Sequence, residues 1–274
     1  MMKRTKLADR ALPVYSVGEE LANTATHALG GVLGVIALIL CVRKACLDRG
    51  AAEITGAAIY GACLIVLYSV SSVYHGLRPG TAKKVLQILD HCAIYFLIAG
   101  SYSIVCLGAL RRENAMLGWG ILGLEWFLCT LATTLTAIDL KRYNAFSMIC
   151  YIGMGWAIIP LAAMLLRIMT PMGFWLLLAG GISYTLGAIL FAIPRKWLHS
   201  IFHVFVVAGS VLHFFAFYWY AIGSFRVRIL RARFFHPFET ERPATRSPPK
   251  RFPRGEGIFP SLRDGGRFMN RPYE

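Results

Sequence analysis

Two histidines, His199 and His203, lie four residues apart in the apolar stretch HSIFHVFVVAGSVLHF, residues 199–214. In a helix this spacing places both imidazoles on one face, about 6 Å apart at Cβ. A helix can use the same spacing to give two ligands to one metal ion. Ser71 and His75 have the same spacing in another apolar stretch. A third histidine from that second helix would complete a three-histidine site with an open fourth position, which is the arrangement of catalytic zinc.

Asp90, in LQILDHCAIY, offers a carboxylate to this site. It would hold a metal-bound water or orient a ligand histidine, since ligand histidines usually donate to a carboxylate or carbonyl. The alternative is that Asp90 caps the start of a helix, where negative charge is favourable. For His199 and His203 the alternative is a pair of histidines without a metal, but ionisable groups without partners are costly inside a membrane.

More polar residues surround the first apolar stretch. Ser16 and Glu19 form an S-x-x-E pattern that predicts a capping box at a helix start. Glu20, Asn23 and His27 then share one helical face. They form either a wall of the polar cavity around the metal site or the polar start of a helix in water.

Three further observations concern isolated residues. For His27, His91 and His213, an ordinary position at the membrane edge is the alternative to ligation. His213 is ten residues beyond His203, about 15 Å along a helix, so it cannot bind the same metal. Glu125 lies in the middle of an apolar stretch and has no partner that the sequence identifies.

The amino-acid composition of the chain is typical of a membrane protein. Hydrophobic residues make up 57% of the 274 positions and the mean hydropathy is +0.56, above the range of soluble domains. The net charge is +15, but 12 of the 29 Lys and Arg residues lie after position 225. The remainder lie mostly in short loops, a pattern typical of membrane-flanking cations. We therefore expect no nucleic-acid partner.

None of the seven cysteines forms a C-x-x-C pair, so no disulfide framework or thiolate site is predicted.

Seven stretches of about 20 apolar residues predict a seven-helix transmembrane bundle. They lie near 24–42, 53–74, 87–108, 115–137, 146–166, 172–193 and 200–222. Pro160 predicts a kink inside the fifth stretch, and Pro171 and Pro194 mark helix boundaries. The N-terminal tail and the loops on its side together carry eleven Lys and Arg residues. The loops on the other side carry six, and the start of the C-terminal tail adds four. This small excess favours a cytoplasmic N-terminus.

This topology places the polar residues on one side of the membrane, because even-numbered helices end there and odd-numbered helices begin there. It also divides the chain into three parts. Residues 1–22 form a cytoplasmic segment, residues 23–225 form the transmembrane domain, and residues 226–274 form a basic, proline-rich tail. The tail holds seven of the twelve prolines and has twelve basic and five acidic residues, which predicts disorder and contact with anionic lipids.

Four motifs occur in order between residues 16 and 222: EELANTATHALGG, SSVYHG, LDHCAIYFLIAGSY and HSIFHVFVVAGSVLHF. Together they resemble the hemolysin III proteins of the progestin and adipoQ receptor superfamily, which includes the adiponectin receptors. The resemblance implies a seven-helix membrane bundle with a cytosolic N-terminus. It also implies a zinc ion bound by His75, His199 and His203. In this comparison Asp90 matches the aspartate of the third helix, and Ser71 is a hydrogen-bond partner at the site.

The resemblance to this superfamily, whose relatives include alkaline ceramidases, implies cleavage of lipid amides or esters by a zinc-activated water. The expected partners are membrane lipids, and the expected location is the cell membrane. The alternative is a protein without enzymatic activity, either a cytolytic haemolysin or a regulator of membrane state, with a structural zinc. A proton-coupled transporter is a third hypothesis, supported by Glu125 alone.

Overall fold

The protein is described by a computed structural model that covers residues 5–48 and 50–222, and the regular structure in these ranges is helical. The long helices are α1 Val17–Asp48, α2 Ala51–Gly76, α3 Thr81–Val105, α4 Ala115–Ile138, α5 Asn144–Trp156, α6 Ala162–Phe191 and α7 Leu198–Ala216. The π-helical turns Cys106–Leu110 and Phe217–Ala221 extend α3 and α7, and the short turns Arg111–Glu113 and Ile159–Leu161 precede α4 and α6. The tail predicted at 226–274 lies outside the described residues.

Six helical stretches of the described residues are long and apolar enough to cross a membrane, in agreement with the predicted all-α membrane class. The predicted fifth and sixth spans fall together in one stretch, Asn144–Phe191, of 48 residues. A straight helix of that length would measure about 72 Å, more than twice the thickness of the hydrocarbon core.

This stretch is bent at the positions that its prolines predict. Pro160 lies in a 3₁₀ turn after the end of α5. Thr170, directly before Pro171, has a left-handed backbone with φ of 67°. The two halves lie side by side, since the Trp156 indole N–H donates to Thr185 Oγ1 at 3.0 Å.

One end of the bundle, here called the histidine end, collects polar groups from several helices. Lys83 in the first turn of α3 donates to Glu20 Oε1 of α1 at 2.6 Å and to the Leu77 carbonyl after α2 at 2.9 Å. Ring contacts join His75, near the end of α2, to His199, near the start of α7. The loops and helix ends predicted to share one side therefore meet.

The opposite end, here called the arginine end, is held by ion pairs. Arg112 Nη1 lies 2.5 Å from Glu53 Oε1 at the start of α2. Lys44 near the end of α1 donates to the Tyr218 carbonyl after α7. Trp119, Trp175 and Trp219 are exposed on the helix segments at this end, as expected for an aromatic belt at a membrane interface.

Close contacts between helices fix the position of α1 against α2 and α7, which carry the histidines. A Cβ atom on Gly30 would lie 2.5 Å from the Tyr68 ring, so only glycine allows α1 and α2 to approach this closely. The Tyr68 hydroxyl in turn donates to Ser210 Oγ of α7 at 2.6 Å. These contacts bring α1, α2 and α7 together.

The helix starts set the positions of the acidic residues. The Ser16 N–H and hydroxyl both donate to Glu19 Oε2, at 2.9 and 2.7 Å, so the predicted capping box is confirmed. The predicted alternative role for Asp90 is wrong, because α3 begins at Thr81 and Asp90 is nine residues further along the helix. Asp90 therefore lies inside the bundle rather than at a helix cap.

Candidate metal centre

Three imidazole nitrogens converge at the histidine end. His199 Nε2 lies 3.3 Å from His75 Nε2 and 3.1 Å from His203 Nε2. These three residues are the one group in the described part of the chain whose ligand atoms suit a metal ion. Nitrogens about 2.0–2.1 Å from a tetrahedral zinc ion would lie roughly 3.3–3.4 Å from each other, so the observed separations fit zinc.

Burial strengthens the case for a bound cation. His75 and His203 are only 2% and 1% exposed. Three neutral imidazoles that meet at one point can satisfy few of one another's nitrogens, because each carries only one N–H. A divalent ion accepts all three lone pairs at once.

Glu20 fixes the orientation of His75. Its Oε2 lies 2.7 Å from His75 Nδ1, and its Oε1 accepts a hydrogen bond from Lys83 at 2.6 Å. Nδ1 therefore carries the proton and donates to the carboxylate, which leaves the lone pair of Nε2 directed at the other two histidines. A carboxylate behind a ligand histidine is the usual arrangement in zinc sites.

The other residues predicted for the cavity wall have separate positions. Asn23 places its side-chain amide nitrogen 3.4 Å from His75 Nδ1, on the same side as Glu20. His27 stacks on His203 with ring centroids 3.7 Å apart. At 3% exposure His27 is buried, and it is not part of the metal-binding group.

Asp90 and Ser71 line a cavity of about 140 Å³ together with two of the three histidines, His199 and His203. Ser71 is buried, and its hydroxyl lies against the Asp90 carboxyl group, to which it donates a hydrogen bond. Asp90 also lines the cavity but is not part of the metal-binding group. The carboxylate that contacts a ligand histidine is thus Glu20, and Asp90 is the carboxylate that faces the cavity.

The cavity is largely apolar beyond this polar region. Its walls include Leu97, Ile98 and Ile152, and a second cavity of about 60 Å³ shares Tyr102 and Trp156 with it. The side chain of Ile152 is also partly exposed, so the cavity opens to the outside of the bundle beside α5. This shape suits a hydrocarbon chain with its polar group at the histidines.

Three polar residues that the sequence analysis singled out lie outside the metal-binding group. His213 lines both cavities, and its Nε2 donates to the Leu177 carbonyl of α6 at 3.0 Å. His213 therefore holds α7 to α6. Glu125 is fully buried in α4 and is absent from the walls of both cavities. His91 lines the larger cavity and packs its ring against Phe191.

The sequence did not predict the contacts of Lys83 and Tyr15. Lys83 belongs to the TAKK segment, which reads as a solvated loop, yet its side chain is 3% exposed and bound to Glu20. Tyr15, directly before the capping box, packs its ring on His199 at 4.8 Å between centroids. Burial, with a smaller contribution from the Glu20 carboxylate, raises the pKa of the Tyr15 phenol, so this side chain is neutral. The sequence feature that could have indicated this contact is the position of Tyr15 directly before the predicted capping box.

Comparison with known proteins identifies the family. A profile of the family described as Haemolysin-III related matches residues 15–214. Hemolysin-3 of Bacillus cereus is 38% identical over 209 residues, which cover 76% of this chain and 94% of the relative. The Hemolysin-3 homolog of Bacillus subtilis (strain 168) is 33% identical over 210 residues, 76% of this chain and 97% of the relative.

A more distant relative connects the chain to animal proteins. The human monocyte to macrophage differentiation factor is 29% identical over 218 residues, 75% of this chain and 86% of that protein. No solved structure matches the chain. The resemblance to hemolysin III proteins seen in the four sequence motifs is confirmed by the profile and by both Bacillus relatives. Since the profile runs from the capping box of α1 into α7, the chain is an integral membrane protein of the Haemolysin-III related family.

Proposed function

We propose that the protein is a zinc-dependent hydrolase that cleaves amide or ester bonds of membrane lipids. The supporting observation is that the Nε2 atoms of His75, His199 and His203 meet beside an apolar cavity that also contains Asp90 and Ser71. A zinc ion bound there would supply Lewis acidity, which polarises a carbonyl and makes water nucleophilic near neutral pH.

The protein's own groups have distinct tasks in this proposal. The three histidines hold the metal, and Glu20 keeps Nε2 of His75 free to bind it. Asp90 positions the attacking water and accepts its proton, as a carboxylate general base does. The Ser71 hydroxyl donates a hydrogen bond to Asp90 and so orients the carboxylate that holds the water. The apolar walls bind the acyl chain and exclude bulk water.

The same proposal includes a seven-span topology with a cytoplasmic N-terminus. The stretch Asn144–Phe191 folds back on itself through the contact between Trp156 and Thr185, so it supplies two crossings instead of one. The excess of Lys and Arg in loops on the N-terminal side favours the cytoplasm for that side. The metal centre would then lie near the cytoplasmic surface.

The decisive experiment measures metal and hydrolysis together. Wild-type protein in lipid nanodiscs, the double variant His199→Ala/His203→Ala and the control Glu113→Gln at the arginine end are analysed for zinc by elemental analysis. Each is then incubated with N-acyl and O-acyl lipids, and fatty-acid release is measured. We expect about one zinc per chain and fatty-acid release in wild type and control, and loss of both in the double variant.

Two results would contradict the proposal. Well-folded wild-type protein that takes up no zinc would remove the metal centre. Fatty-acid release that persists in the double variant, or after the metal is stripped, would show that the histidines do not carry the reaction.

The second candidate is a non-enzymatic membrane protein whose zinc braces the bundle. The observation in its favour is that the three histidines join the end of α2 to the start of α7. This candidate predicts bound zinc and a lower unfolding temperature after its removal, without any release of fatty acid. The name of the Bacillus cereus relative, Hemolysin-3, suggests a direct assay, the lysis of red blood cells by wild type and the double variant.

A further inference from the structure

We infer that residues 5–16 form a fixed cover over the polar side of the metal centre and that Tyr15 closes it. Ligands would then reach the three histidines through the apolar cavity and not from the water on that side. Tyr15 thereby determines specificity, because it restricts the site to molecules dissolved in the membrane. This inference rests on the proposed metal centre and adds the route of access to it.

Tyr15 covers two of the three proposed ligands. Its ring centroid lies 4.8 Å from that of His199, with a tilt of 31°, and 5.6 Å from that of His75. Both distances are in the range of favourable aromatic contacts. The ring therefore lies directly against the metal-binding imidazoles, on the side from which the N-terminal segment arrives.

The position of Tyr15 is fixed from its C-terminal side by the start of α1. Ser16 is held in the capping box with Glu19. The other carboxylate oxygen of Glu19 accepts a hydrogen bond from the Trp197 N–H at 2.7 Å. Since Trp197 directly precedes α7, the helix that carries two ligands also holds the residue beside Tyr15. The cover and the metal centre are built on the same helix ends.

The segment before Tyr15 is held at two further points. The Lys84 ammonium group donates to the Ala8 carbonyl at 2.6 Å, which ties the segment to the start of α3. The Thr5 N–H donates to Asp139 Oδ2 at 2.8 Å, in the turn between α4 and α5. Arg10 is only 8% exposed, an unusual degree of burial for an arginine.

These attachments make the segment cross the whole histidine end. It runs from the turn after α4, over the start of α3, to the start of α7. Twelve residues can span up to about 40 Å when extended, enough for this path. None of residues 5–16 lines the cavity, which opens beside Ile152 of α5, so this approach to the histidines is left open by the segment.

The test uses zinc-loaded protein in lipid nanodiscs, where both membrane faces are in contact with water. Excess EDTA, which does not enter the bilayer, is added, and the loss of zinc is followed over time. Removal of two aromatic contacts in Tyr15→Ala raises the population of the open state and should speed zinc loss roughly tenfold or more. Tyr15→Phe, which keeps the ring, should behave as wild type. Equal rates in wild type and Tyr15→Ala would overturn the inference.

A second measurement does not depend on zinc. Hydrogen exchange of the amides of residues 5–16 is measured in metal-free wild type, Tyr15→Ala and Tyr15→Phe. We expect slow exchange at Thr5 and Ser16 in wild type and Tyr15→Phe, and faster exchange in Tyr15→Ala. If the protein binds no zinc, the proposed function fails, and the cover is judged by exchange alone. Rapid exchange throughout this segment in wild type would then refute the cover.

Discussion

Replacement of Glu20 by Gln tests whether a carboxylate orients the metal-binding histidine. The change keeps the size of the side chain and removes its charge. In the wild type, Glu20 accepts a hydrogen bond from the Nδ1–H of His75 at 2.7 Å and forms an ion pair with Lys83 at 2.6 Å. A glutamine oxygen can still accept from Nδ1, but only as a neutral group. The expected result is a weaker metal site with its three ligands in place.

The size of the effect follows from the bond that is weakened. A hydrogen bond to a charged group contributes about 1.5–3 kcal/mol, and a neutral one about 0.5–1.5 kcal/mol. The difference of roughly 1–1.5 kcal/mol corresponds to about tenfold in the zinc dissociation constant. This value lies at the low end of the 10–100-fold losses typical for such outer partners of a metal ligand.

The assay is competition for zinc between the protein and a fluorescent chelator of known affinity, in detergent at pH 7. Glu20→Gln also leaves the buried ammonium of Lys83 without its counter-ion, which lowers stability. The double variant Glu20→Gln/Lys83→Met removes that unpaired charge. We expect the double variant to recover unfolding temperature but not zinc affinity. Glu113→Gln, the same chemical change at the arginine end, is the matched control.

A zinc affinity of Glu20→Gln within twofold of wild type would refute the reasoning. So would a full recovery of affinity in the double variant, because the loss would then come from the unpaired lysine and not from His75. A loss of affinity in Glu113→Gln would show that the change acts through general destabilisation.

Three further predictions address other parts of the molecule. Asp90→Asn should retain zinc, since Asp90 is outside the metal-binding group, and lose about 10²–10⁴-fold in lipid hydrolysis; loss of zinc would contradict this. Arg112→Met should lower the unfolding temperature, because it leaves the buried Glu53 carboxylate with only a distant partner; thermal unfolding checks this. Hydrogen bonds lower the pKa of Asp139, and the one from the Thr5 N–H has the largest effect. Its stabilising contribution is therefore complete above about pH 4 and is lost as pH falls through the lowered value, so Asp139→Asn should flatten that part of a pH-dependent unfolding curve.

The convergence of the ligand histidines could be predicted because it depends on two robust features of the sequence. Four-residue spacing places His199 and His203 on one face of any helix. The alternation of helix direction then brings the end of α2 and the start of α7 to the same side. Neither feature depends on the exact helix boundaries. The predicted stretches for α1 and α3 began several residues later than the observed helices, and the convergence was still predicted.

The partners of those histidines could not be predicted, because they depend on how each helix is rotated against its neighbours. Lys83 and Lys84 are adjacent in sequence and alike in chemistry. The fold turns Lys83 inward to Glu20 and leaves Lys84 to bind the Ala8 carbonyl. The sequence pattern suggested Asp90 as the carboxylate that orients a ligand histidine, and Glu20 only as part of the cavity wall. The close approach of α1 to α2 at Gly30 places Glu20, and not Asp90, against His75.

Glu125 shows how position in the fold limits a functional hypothesis. Its side chain is fully buried, and neither carboxylate oxygen has a hydrogen-bond partner within the described ranges. An ionised carboxylate at such a place would cost several kcal/mol, so the apolar surroundings favour the neutral acid. A proton pathway needs further ionisable groups within reach, but Glu125 lines neither of the two cavities at the metal centre.

Glu125→Gln therefore replaces one neutral polar group by another of nearly the same shape. We expect the free energy of unfolding to change by about 1 kcal/mol or less, as for substitutions without a large structural mechanism. Zinc content and lipid hydrolysis should equal those of wild type, because the residue touches neither the histidines nor the cavity. Proton flux into vesicles carrying either protein should be the same. A proton flux in wild type that disappears in Glu125→Gln would restore the transporter hypothesis and show that this carboxyl group exchanges protons with water.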